Sequence, residues 1–126
     1  MYLGYFFQKR KEKMKKLLFL FVLSITSCAF KSGLTIPANE TFILGEGNSK
    51  NYSAELVNTS NYEVKIRGEK KQTGEYTQGL GLAPKSKVTV YVSSDEIIKF
   101  INNNNLPVKV NVKMSKEVYG MRYIKN

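Results

Sequence analysis

The chain has 126 residues, with 20 Lys and Arg against 10 Asp and Glu, a formal net charge of +10, one cysteine and no histidine. That composition excludes an intrachain disulfide, general acid–base catalysis by histidine, imidazole-dependent Ser or Cys triads, and most zinc and copper centres. The charge is unevenly spread. Six of the cations and one of the anions precede Cys28, so half of the net charge belongs to the first segment.

That segment has three parts. Lys9, Arg10, Lys11, Lys13, Lys15 and Lys16 form a positive flank, Leu17–Ile25 an apolar run, and Thr26-Ser27-Cys28 a close of small residues. This order is the secretory-signal pattern. An apolar run of nine residues is far short of the roughly 20 a bilayer-spanning helix needs. It therefore reads as a signal helix rather than a stable span, and the cations keep its start on the cytoplasmic side. Met1–Phe7 is aromatic-rich, whereas Met14-Lys15-Lys16 is a natural start. Residues 1–13 are accordingly expected to be an over-extended start, the other reading being a basic arm for a membrane surface.

Ile25-Thr26-Ser27-Cys28 resembles the lipobox of bacterial lipoprotein precursors, with Ile where Leu is commonest. The resemblance covers residues 14–28. It implies diacylation of the Cys28 sulfur, cleavage before Cys28 and acylation of the new amino terminus. It also implies a cell-envelope location, with membrane lipid as a partner through acylated Cys28. Ala29 is not the acidic residue that marks inner-membrane retention in the enterobacterial family, so the outer membrane is favoured where the organism has one. The expected boundaries are 1–27 for the signal peptide, 28–33 for a lipid-anchored tether and 34–126 for one folded domain.

From Leu34 onward the pattern alternates. Tyr62, Val64 and Ile66, then Val88, Val90 and Val92, then Val108, Val110, Val112 and Met114 are separated by polar residues. Each run reads as a half-buried antiparallel strand. Further strands are expected over 41–44, 52–57, 76–80, 96–101 and 117–124, divided by Gly, Asn, Pro and Ser turn signals. The predicted fold is all-β, a small antiparallel Ig-like sandwich of about seven to eight strands.

Val57–Ile66 aligns without gaps on Ile101–Val110, four positions of ten being identical, and Ile36-Pro37 parallels Ala83-Pro84. The spacing suggests two related three-strand units, 34–68 and 82–114, that share one core. The Asn-rich stretches 58–61 and 102–105 read as turns.

No chemistry-bearing motif stands out. Glu63, Glu69 and Glu75 neighbour lysines and read as a solvated face. Asp95-Glu96 reads as a turn. Gly79-Leu80-Gly81 lies between strands rather than before a phosphate-binding helix. The sequence yields no catalytic residue, metal ligand, cofactor or nucleic-acid partner. The expected function is a non-catalytic structural or protein-binding module, with another envelope protein as the partner. The alternatives are a carbohydrate- or ligand-binding module and, behind it, a small hydrolase. Tyr119 and Tyr123 are the candidate partner-binding residues. They are read on one face of a last strand whose two apolar sides make it either a central strand, the favoured reading, or an edge that pairs with a partner.

Overall fold

The computed structural model describes residues 30–126. The expected signal helix, Cys28 and Ala29 fall outside them. Nine strands fold into two antiparallel sheets. They are β1 (Phe30–Ile36), β2 (Glu40–Leu44), β3 (Tyr52–Asn58), β4 (Val64–Lys70), β5 (Tyr76–Leu82), β6 (Lys87–Val92), β7 (Glu96–Ile101), β8 (Val108–Met114) and β9 (Met121–Lys125). Sheet A has the order β1-β8-β3-β6 and sheet B the order β5-β4-β7-β2-β9.

Alternation in sequence becomes alternation in burial. β3 and β8 each bury every second residue, as a pleated strand with one dry face must. The inward residues of both sheets, among them Ile36, Leu56, Val64, Ile98, Phe100, Val108 and Val110, form one core. Each of these is at most 2 % exposed. Ile43 and Ile97 are buried on the outer side of sheet B, where Ile43 lies in register between Lys99 of β7 and Arg122 of β9.

The all-β sandwich is the architecture the alternation predicts. Within it, successive strands lie in different sheets except for the β4–β5 hairpin. That is a jelly-roll order rather than the immunoglobulin one. Two tight turns carry the chain across. Glu40 N donates to Pro37 O at 3.3 Å and Ser86 N to Ala83 O at 3.2 Å. Asn39 (φ 58°) and Lys85 (φ 61°) take the left-handed conformation at the equivalent third position.

The ladders have an internal two-fold relation. Exchanging β1 with β5, β2 with β6, β3 with β7 and β4 with β8 turns β1–β8 into β4–β5, β2–β7 into β3–β6 and β3–β8 into β4–β7. The unit related in this way has four strands rather than the three read from sequence. The extra one in the first unit is β1, because Phe30, Lys31, Ser32 and Gly33, expected as tether, pair in turn with Met114, Lys113, Val112 and Asn111 of β8. Its polar residues escaped the apolar pattern because β1 is a sheet edge whose outward side meets solvent.

β9 also differs from expectation. It begins at Met121 rather than at 117, and of the two readings of its place it takes the edge, beside β2, and not the favoured central position. Residues 117–120 instead form a loop that turns at Gly120, whose φ of +87° only glycine adopts readily. Gly45 N donates to Gly120 O at 2.8 Å and Gly47 N to Tyr119 O at 3.1 Å, tying this loop to the one between β2 and β3.

Candidate functional site

The sandwich has two loop ends. One end gathers the β1–β2 turn with the β3–β4, β5–β6 and β7–β8 connections. Two buried asparagines organise it. Asn58 donates through Nδ2 to Tyr62 O at 2.7 Å and Leu82 O at 3.0 Å, while its Oδ1 accepts from Ser60 N and Oγ. Asn102 donates to Ile36 O at 3.1 Å, Pro37 O at 3.0 Å and Leu106 O at 2.9 Å, while its Oδ1 accepts from Asn104 N and Nδ2. Both are fully buried. Each amide thus satisfies carbonyls of its own turn and of the strand end beside it, which would otherwise be desolvated without partners.

The other end carries the start of β1 and the β2–β3, β4–β5, β6–β7 and β8–β9 connections. Here Asp95-Glu96 closes a turn, as read, with Glu96 N donating to Ser93 O at 3.1 Å, but Glu96 is buried at 4 % exposure rather than solvated. Its carboxylate accepts from Thr77 Oγ1, from Gln78 Nε2 at 3.0 Å, from Ser93 N at 3.0 Å and from Ser93 Oγ at 3.2 Å. Burial opposes its charge, but these donors outweigh burial and hold the carboxyl below its ordinary value. Gly68 allows that approach, since a Cβ there would meet Glu96 Oε2 at 2.5 Å. The nearby Tyr52 hydroxyl is buried with no hydrogen-bond partner among the described residues. Burial first and the Glu96 charge second push its ionisation upward, so it stays protonated.

The outer faces of the two sheets differ electrostatically. On sheet B the cations are largely paired. Glu69 takes Arg67 Nε at 2.6 Å and Lys99 Nζ at 3.0 Å, and Arg122 forms a two-pronged pair with Glu46 at 2.7 and 2.9 Å. Burial disfavours the Glu69 charge, but Lys99 and Arg67 overcome it and lower its pKa. Glu69 is therefore a partly buried, ion-paired group, not part of a solvated face.

On sheet A the outward positions include Lys31, Lys87, Lys109 and Lys113 against one carboxylate, Glu55. Glu55 Oε2 lies 3.6 Å from Lys87 Nζ. Lys31 stands directly opposite Lys113 across the β1–β8 ladder, and like charges so placed repel. Neither forms an ion pair among the described residues. Beside them Gly33 lies opposite Asn111. The missing side chain leaves a groove of about 420 Å³ lined by Lys31, Gly33, Glu55, Val57, Asn111 and Lys113. Single-sequence reading missed this groove, because no motif marks it and only the register brings 31, 55 and 113 into one row.

The candidate residues separate. Tyr119 lies in the β8–β9 loop at 59 % exposure. Tyr123 stacks at 5.1 Å against Phe42 and donates from its hydroxyl to Thr35 O at 3.0 Å, closing the gap between β9 and β1. The other exposed tyrosines are dispersed. Tyr91 is on the outer face of sheet A, Tyr76 lies under Arg67 at 4.9 Å, and Tyr62 belongs to the Asn58 turn. Cys28 lies outside the described residues, two positions before Phe30.

No family model and no curated protein matches the sequence. Solved structures with a similar fold include a cysteine peptidase from Thevetia peruviana latex, peruvianin-I, and the Yersinia pseudotuberculosis-derived mitogen. The peptidase superposes with a TM-score of 0.52 at 8 % identity over 75 % of this chain and 55 % of the peptidase, so the likeness spans about half of that protein. The mitogen superposes with a TM-score of 0.50 at 18 % identity over 74 % of this chain and 92 % of its own. At these identities the likeness is one of fold.

Proposed function

We propose that this protein is a lipid-anchored cell-envelope lipoprotein whose sandwich is a non-catalytic binding module, with the outer face of sheet A as its contact for an acidic partner protein. The observation that carries the anchor is the Ile25-Thr26-Ser27-Cys28 lipobox resemblance directly upstream of β1. The Lys31–Lys113 pair beside the Gly33 groove, in which neither lysine forms an ion pair among the described residues although Glu55 stands opposite Lys113, supports the contact. Two observations support a non-catalytic role. Glu96 is committed to four hydrogen bonds, and Glu69 is held between two cations. The dispersal of the exposed tyrosines favours a protein partner over a carbohydrate, which binds best to a shared aromatic platform.

Two measurements test this reading. Cys28→Ser yields unacylated precursor that leaves the membrane fraction, and an unchanged mass and fractionation overturn the anchor. Lys31→Glu with Lys113→Glu abolishes salt-sensitive capture of the envelope partner from native membranes, whereas Lys65→Glu on sheet B preserves it. Equal capture by both variants overturns the sheet A contact.

A further inference from the structure

The loop end that receives the chain from Cys28 carries exposed aromatic residues. Phe30, the first residue of β1, is 45 % exposed although it has the inward parity of Leu34 and Ile36, because it stands at the rim opposite Met114. Tyr119 is 59 % exposed. Both line one cleft of about 260 Å³, together with Lys50 of the β2–β3 loop and Lys116 and Glu117 of the β8–β9 loop. Two cations against one anion leave this cleft positive. Met121 at 48 % exposure follows Tyr119 at the start of β9.

Chain length constrains what faces this cleft. Because β1 absorbs residues 30–33 into a ladder, Ala29 alone separates Cys28 from the sandwich. Two peptide links reach at most about 7 Å. A tether of five residues, as the sequence suggests, would let the domain hang free at roughly 21 Å. A one-residue link brings the rim of the sandwich to the bilayer surface that holds the acyl chains. The Tyr119 ring, with its polar tip, partitions to the headgroup region, the wholly apolar Phe30 ring is drawn to the boundary between headgroups and acyl chains, and lysines gain there from anionic lipid.

Resting on the lipoprotein reading, we infer that Phe30 and Tyr119 seat this end of the sandwich in the headgroup layer of an anionic phospholipid membrane, flanked by Lys50 and Lys116. The domain then stands upright on the membrane. The Asn58 and Asn102 turns point away from it, and the outer face of sheet A stands at the side, its Lys31–Lys113 pair one ladder rung from the seated Phe30.

The chain contains no tryptophan, so single Trp substitutions report their own depth. Full-length protein, purified after export, is reconstituted into phosphatidylethanolamine–phosphatidylglycerol vesicles carrying brominated acyl chains, and its mass is measured in parallel. Phe30→Trp and Tyr119→Trp are expected to shift to the blue and to be quenched, whereas Tyr62→Trp at the opposite end is not. Lys50→Glu and Lys116→Glu each lower the seated population about fivefold, and Lys65→Glu leaves it unchanged. An acylated Cys28 with no quenching at 30 and 119, or with equal quenching at 62, overturns the seat alone. A Cys28 found unacylated overturns the anchor and the seat together.

Discussion

At the scale of single residues, stability concentrates in a few buried polar groups. Asn102 supplies the donor for three carbonyls, that of Ile36 buried and those of Pro37 and Leu106 partly so. Asn102→Ala is expected to cost about 3 kcal/mol, since stranded buried acceptors lose their full hydration. Asn103→Ala, at an exposed position, stays within about 0.5 kcal/mol. Urea denaturation separates the two. Glu96 gives the molecule a pH dependence. Its folded pKa lies below the ordinary 4.5, so its contribution is complete above that value and is lost as pH falls through the folded one. Glu69 and Glu46 shift in the same direction. Thermal stability is therefore expected to drop on acidification below about pH 4.5, and Glu96→Gln should make that acid limb shallower while lowering stability at pH 7. An unaltered acid limb in the variant would remove Glu96 from this role. Neither residue's role was legible beforehand. Asn102 was visible only as a turn former, and Glu96 only as a charge beside Asp95, because partners from β5 and the β1 end decide both.

At the scale of elements, strands with one wet and one dry face were legible, the edge strand β6 included, and the two terminal strands were not. β3, β4, β6 and β8 follow from period-two alternation, which burial on one side imposes. β1 and β9 lie at sheet margins, where half the hydrogen-bonding groups meet solvent, and neither alternates along its length: β1 opens with four residues that are not buried, and β9 is exposed but for Ile124. Tyr119 and Tyr123, four positions apart, seemed to share a strand face, but Gly120 ends that continuity. Their consequences therefore diverge. Tyr123→Phe should lose about 1 kcal/mol with the bond to Thr35 O. Tyr123→Ala should lose about 2 kcal/mol or more with the Phe42 stacking, whereas Tyr119→Ala stays near neutral in solution. Thermal melts of the three variants check the order. A destabilisation by Tyr119→Ala equal to that of Tyr123→Ala would contradict the division between a closing strand and an exposed loop.

At the scale of the whole molecule, the relation between residues 57–66 and 101–110 pointed to two comparable halves. The ladders show what such halves do. Every pairing among β1–β8 joins a strand of residues 30–70 to a strand of residues 76–114. The groove at Gly33 obeys the same rule, since its lining from β1 and β3 meets that of β8. Sequence alone could not locate it, because a site assembled across the two halves leaves no local signature in either. The same topology bears on biogenesis. A chain synthesised from its amino end presents β1 to β4 first, and none of these has a ladder partner until β5 follows. The first half thus cannot close a native ladder on its own, and the sandwich assembles only once the strands that complete it are present.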